Sequence, residues 1–78
     1  MDYERLDRLA ERAAKGDFDG ISVLSTGERL YVALAANSIE MLDKSGDTIA
    51  EALARLGEEG VSHLIERWRY RGNPRYFA

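Results

Sequence analysis

The chain has no cysteine. That excludes a disulfide framework and thiolate chemistry, and makes a reducing interior, the cytoplasm, the expected location. No apolar run approaches the ~18 residues needed to cross a bilayer. The opening stretch MDYERLDRLAER is charged from its start, so a signal peptide is not expected. Histidine occurs once, at His63, with no base or thiol beside it in sequence. Ser22, Ser25, Ser38, Ser45 and Ser62 lie in no nucleophile-elbow context. Neither Thr26-Gly27 nor Lys44-Ser45-Gly46 has the glycine spacing and following Lys-Ser/Thr of a phosphate loop. Asp17-Phe18-Asp19-Gly20 resembles the start of a calcium loop, but the later ligands and the closing Glu are missing. The expectation is a protein without catalytic residues, metal or cofactor. There is no internal repeat, low-complexity tract or linker.

What is present is the composition of a small folded domain. The chain has 78 residues, 45% of them hydrophobic and 32% charged, and reads as one domain over 1–78. A chain of this length buries only ~60–65% of its unfolded surface, so its stability margin is modest. The net charge of −3 is unevenly spread. Residues 1–65 carry 13 acidic and 7 basic side chains. Residues 66–78 carry Arg67, Arg69, Arg71 and Arg75 against Glu66. The surface is therefore expected to be polarised.

The expected fold is α+β, in the order αβββαα. Asp2 caps a first helix running to about Lys15, with Leu6, Leu9, Ala10 and Ala13 on one stripe. Phe18 is expected to fold back as a core plug. From Ile21 to Leu42 apolar residues recur at period two: Ile21 and Val23, then Leu30, Val32 and Leu34, then Ile39 and Met41. With turns at Ser25-Thr26-Gly27-Glu28 and Asn37-Ser38, all of these fall on one face of a three-stranded antiparallel meander. A bulged loop at Ser25-Thr26-Gly27 is the competing register; it would mix Ser22 and Leu24 with the Leu30 face. Thr48-Ile49-Ala50-Glu51 has the capping-box pattern, opening a short helix that stops at Gly57. A third helix covers Glu58 to about Arg71, with Val61, Leu64, Ile65 and Trp68 facing inward. Gly72-Asn73-Pro74 ends it, ahead of the tail Arg75-Tyr76-Phe77-Ala78.

Two surfaces are candidates for function. The second face of the meander would carry Arg29, Tyr31 and Glu40 among small residues. It is either covered by the first helix or a flat partner surface centred on Tyr31, since tyrosine is enriched at interface hot spots. The third helix would expose His63, Arg67 and Tyr70 on one side, with Arg71 at its end. Basic residues interleaved with aromatics also suit phosphate pairing and base stacking, so a weak nucleic-acid binder through the C-terminus is a further reading. The arginines equally complement the helix dipole.

In size and composition the whole chain resembles the small proteins of phages and mobile elements, and among those the anti-CRISPR inhibitors. The resemblance implies a stoichiometric, non-enzymatic inhibitor acting in the host cytoplasm. It would dock on a CRISPR–Cas effector subunit and block target-DNA binding or nuclease recruitment. The alternative is a small adaptor module acting as a homodimer. Either way the expected partner-binding residues are Arg29, Tyr31, Glu40, His63, Arg67, Tyr70 and Arg71.

Overall fold

A computed structural model describes residues 1–71, with side chains through Arg69. The described residues form four α-helices and a closing π-helical turn, and none is in a strand. The expected α+β meander is therefore wrong: two helices stand where it was placed.

Helix α1 (Tyr3–Ala14) starts as its sequence dictates. The Asp2 carboxylate accepts the backbone N–H of Arg5 at 3.1 Å. Leu6, Leu9, Ala10 and Ala13 are buried along the expected stripe, and Asp7 is buried beside them. Phe18, expected in the core, is 38% exposed in the following loop. There the Asp17 carboxylate accepts the N–H of Asp19 at 3.0 Å, a local Asx turn.

Helix α2 (Thr26–Ala35) occupies the predicted second strand, and its start explains the correction. Ser25-Thr26-Gly27-Glu28 is a capping box rather than a hairpin turn. The Ser25 hydroxyl accepts the Glu28 N–H at 3.2 Å, and the Glu28 carboxylate accepts the Ser25 N–H at 2.9 Å. Every residue from Leu30 to Ala36 is buried. A helix buried on all sides is apolar all round. Leu30, Val32 and Leu34 are thus a period-two subset of a continuous apolar run, and such a run cannot by itself distinguish strand from buried helix. The flanking "strands" fail the burial test as well: Val23 is 80% exposed and Ile39 81%.

Asn37, at φ +53, turns the chain out of α2. Ser38 caps the short helix α3 (Ile39–Ser45), its hydroxyl accepting the Met41 N–H at 3.2 Å. No residue of α3 is fully buried. Helix α4 (Ile49–Glu66) opens on the expected box, with Thr48 and Glu51 exchanging bonds of 3.1 and 3.0 Å. It is interrupted at Gly57, whose φ of 73° and ψ of 178° belong to a region that only glycine adopts without strain. The expected helix stop is thus realised as a kink. The π-helical turn Arg67–Arg71 extends α4.

Helix α2 is the hub, packing on α1, α3 and α4. The core comprises Leu6, Leu9, Leu30, Tyr31, Val32 and Leu64 with the small residues Ala10, Ala35 and Ala52 between them. Fully burying each large apolar side chain stabilises the fold by roughly 1.5–3 kcal/mol.

Candidate functional site

The most developed polar structure in the molecule lies inside it. Three elements converge on Asp7 of α1. The Tyr31 hydroxyl, from α2, donates to Asp7 Oδ1 at 2.6 Å. Arg67 Nε, from the end of α4, pairs with the same oxygen at 3.1 Å. His63 Nε2, one turn earlier, lies 3.3 Å from Asp7 Oδ2. Arg67 uses another nitrogen, Nη1, to donate to the Ala35 carbonyl at 3.0 Å. That carbonyl belongs to the last turn of α2, where a cation is favourable to the helix dipole. Tyr3 closes the cluster from α1. Its ring stacks on His63 at 4.1 Å and meets Tyr31 at 5.2 Å in a tilted arrangement.

Burial, followed by the hydrogen bond to the Asp7 carboxylate, pushes the Tyr31 hydroxyl far above its ordinary range. Tyr31 is therefore a permanent donor at neutral pH. Burial and the charge of Glu59 raise Tyr3 as well. An anion, a buried guanidinium and a fixed donor satisfy one another here. The arrangement locks three helices in register, and none of its five side chains lines the two surface clefts that flank α3.

This cluster changes the standing of the expected binding residues. Tyr31 is 0% exposed and cannot centre an open surface. Arg67, expected on an exposed helix face, is 6% exposed. His63, also expected to be exposed, is half-buried against Tyr3. The reason is the same for all three: each carries a polar tip that Asp7 draws inward. Asp7 was legible only as one position of a charged helix face, although it stands four residues after Tyr3 and three before Ala10, which are also inward. The side chains of Tyr70 and Arg71, and the tail with Arg75, Tyr76 and Phe77, lie outside the described residues.

Arg29 and Glu40 are exposed, and the fold brings them to one region around α3. Two clefts flank that helix. The first, about 270 Å³, is lined by Ile21, Thr26, Arg29, Met41, Lys44 and Ser45. Glu40 pairs with Lys44 at its edge, at 3.5 Å. The second, about 110 Å³, lies on the other side and is mostly apolar, with Leu34, Ile39, Leu42, Ile49 and Trp68 in its walls. Ile39 and Ile49 (61% exposed) project beside it, while Leu42 and Trp68 are half-buried. Of this strip, Ile39, expected in a sheet core, is 81% exposed, whereas Trp68, expected on an inward helix stripe, does pack against the core.

Among the described residues no group of His, Cys, Asp or Glu is arranged to hold a metal ion, and no helix is long and apolar enough to cross a membrane. No protein-family model, curated protein or solved structure matches this chain.

Proposed function

We propose that the chain is a protein-binding domain that docks through α3 and the apolar strip Ile39, Leu42, Ile49 and Trp68. The observation that carries this reading is the exposure of Ile39 and Ile49 beside a half-buried tryptophan, around one cleft. Scattered exposed apolar residues are ordinary, but a contiguous apolar strip with a polar rim is the anatomy of an interface. Asn37 and Ser38, which line the same cleft, give the strip a polar edge. Tryptophan at the centre of such a strip is a frequent hot spot.

The specific role we propose is stoichiometric inhibition by docking on a CRISPR–Cas effector subunit. Small size, mild acidity and the resemblance in composition support it, and the apolar strip replaces the Tyr31 face as its contact surface. Mixed steric and electrostatic blocking fits the charge of −3 better than mimicry of nucleic acid. Nucleic-acid binding through the C-terminal arginines is less favoured, because Arg67 is buried on Asp7 and Ala35.

The experiment is a tagged pull-down from a lysate with an active CRISPR–Cas system, comparing the wild-type chain with Ile39→Asp and Ile49→Asp. Both variants should keep the thermal midpoint, since both side chains are exposed, and should lose a captured effector subunit. Capture that both variants retain would refute the surface, and absence of any effector subunit would refute the inhibitor role. A sedimentation shift from dimer to monomer in the variants would make a second copy of the chain the occupant instead.

A further inference from the structure

We propose that the cleft between the start of α2 and α3 binds a small amphipathic carboxylate. This is independent of the apolar strip, which lies on the opposite flank of α3. The cleft measures about 270 Å³. That is just below the ~300–1,000 Å³ typical of ligand pockets, so it suits a short acid rather than a cofactor. Its walls divide by chemistry. Ile21 and Met41, both half-buried, offer an apolar floor. Arg29 and Lys44 stand on different elements at the same cleft, with the hydroxyls of Thr26 and Ser45 beside them.

Two cations around an apolar floor are unexpected on a chain of net charge −3. Of the acids near these cations in sequence, Glu28 is engaged elsewhere, Glu40 is held weakly, and Asp43 is not among the residues that line the cleft. Glu28, next to Arg29, gives its carboxylate to Arg5 at 3.2 Å and to the Ser25 N–H at 2.9 Å. Among the described residues, the Arg29 guanidinium has neither a salt bridge nor a hydrogen bond, although its five donors suit a carboxylate fork. Lys44 has Glu40 as a partner, but the pair is exposed on both sides and yields readily to a ligand. The Ser45 hydroxyl already donates to the Leu42 carbonyl at 2.6 Å and accepts the Asp47 N–H at 3.2 Å, which makes Thr26 the free hydroxyl donor. The ligand that satisfies these groups carries one carboxylate toward Arg29 and Lys44 and a short alkyl or aryl body over Ile21 and Met41. Inorganic phosphate would match the cations and leave the floor uncovered.

The test is an amide chemical-shift titration of the full chain with hexanoate, set against hexanol, acetate and inorganic phosphate. Hexanoate should give saturable shifts at Ile21, Thr26, Arg29 and Met41 to Ser45, with a dissociation constant of ~1–10 mM, as befits a ligand of few atoms. Hexanol and acetate should each bind at least tenfold more weakly, since each keeps only half of the recognition. Arg29→Gln should weaken hexanoate at least tenfold without changing the thermal midpoint, and Arg29→Lys should restore part of the loss. Equal shifts from phosphate would reduce the cleft to a general anion site and overturn the proposal. Equal shifts from hexanol, or no saturation by ~50 mM hexanoate, would overturn it too.

Discussion

Replacing Asp7 by Ala removes the one acceptor that Tyr31, His63 and Arg67 share. The largest loss falls on Arg67. Its side chain is 7% exposed, and without Asp7 it keeps its hydrogen bond to the Ala35 carbonyl but no counter-ion among the described residues. A buried charge left without its counter-ion costs about 3–5 kcal/mol. The Tyr31 hydroxyl loses a charge-assisted bond of 2.6 Å, a further ~1.5–3 kcal/mol if no water replaces the carboxylate. The two losses overlap, because both groups relax into the same space, so about 4 kcal/mol is the expected total. A domain of this size has ~4–12 kcal/mol of stability in all. Asp7→Ala should therefore be near the limit of folding, and any transition should move down by ~15 °C or more.

Urea unfolding followed by circular dichroism measures the effect. Arg67→Met separates its parts. If the cost is that of an unpaired buried charge, the double variant Asp7→Ala with Arg67→Met should be more stable than Asp7→Ala alone, with a coupling of at least ~2 kcal/mol. If Asp7→Ala does not fold, Asp7→Asn, which keeps the shape and an acceptor oxygen, carries the same comparison. A loss below ~1 kcal/mol, or strictly additive single and double variants, would refute the view of Asp7 as the tie between α1, α2 and α4.

The kink and the pH response give further tests. Gly57→Ala meets no atom within 4 Å, so its cost is purely that of φ +73°, about 1–3 kcal/mol, and should appear as a lower urea midpoint with an unchanged m-value. At high pH, Tyr31 has a folded pKa raised above its unfolded value of about 10. Its contribution is complete below pH ~10 and falls above it, as the unfolded chain releases the proton first. Tyr31→Phe should flatten that alkaline limb. At low pH, Glu28 and Glu51 are held below the usual carboxylate range, chiefly by the backbone N–H groups of Ser25 and Thr48. Their contribution is present above pH ~4.3 and disappears as pH falls through their folded values. A pH series of thermal midpoints that stays flat into the acid range would contradict this.

Several parts of the fold were legible because the signal was local. Asp2 and the stripe Leu6, Leu9, Ala10 and Ala13 specify α1 through one hydrogen bond and one period, and both are found as read. Thr48 and Glu51 announce their helix in the same way, and Gly57 marks its interruption. The box at Ser25 and Glu28 is chemically identical to the one at Thr48 and Glu51. Gly27 inside it and the alternating apolar residues after it give that stretch the pattern of a hairpin turn as well. Of the candidate binding residues, Arg29 and Glu40 remain on the surface near α3, while Tyr31, His63 and Arg67 are drawn toward Asp7.

By itself the sequence determined where α1 and α4 begin, because their caps, Asp2 and the Thr48/Glu51 pair, are made by residues three apart and no hairpin pattern competes with them. It also determined a chain without cysteine and with a single histidine, and so the chemistry on offer. Only the tertiary structure decided what Leu30 to Ala36 would be. An apolar run satisfies a strand or an enclosed helix equally well, and the choice falls to whatever surrounds it. Here α1, α3 and α4 enclose it, and the backbone bonds of a helix are complete without a neighbouring strand. The same packing decided the fate of the polar residues. Asp7, Tyr31 and Arg67 are distant in sequence and look like surface residues one at a time. Once they meet within 3.1 Å, each satisfies the others and all three can be buried.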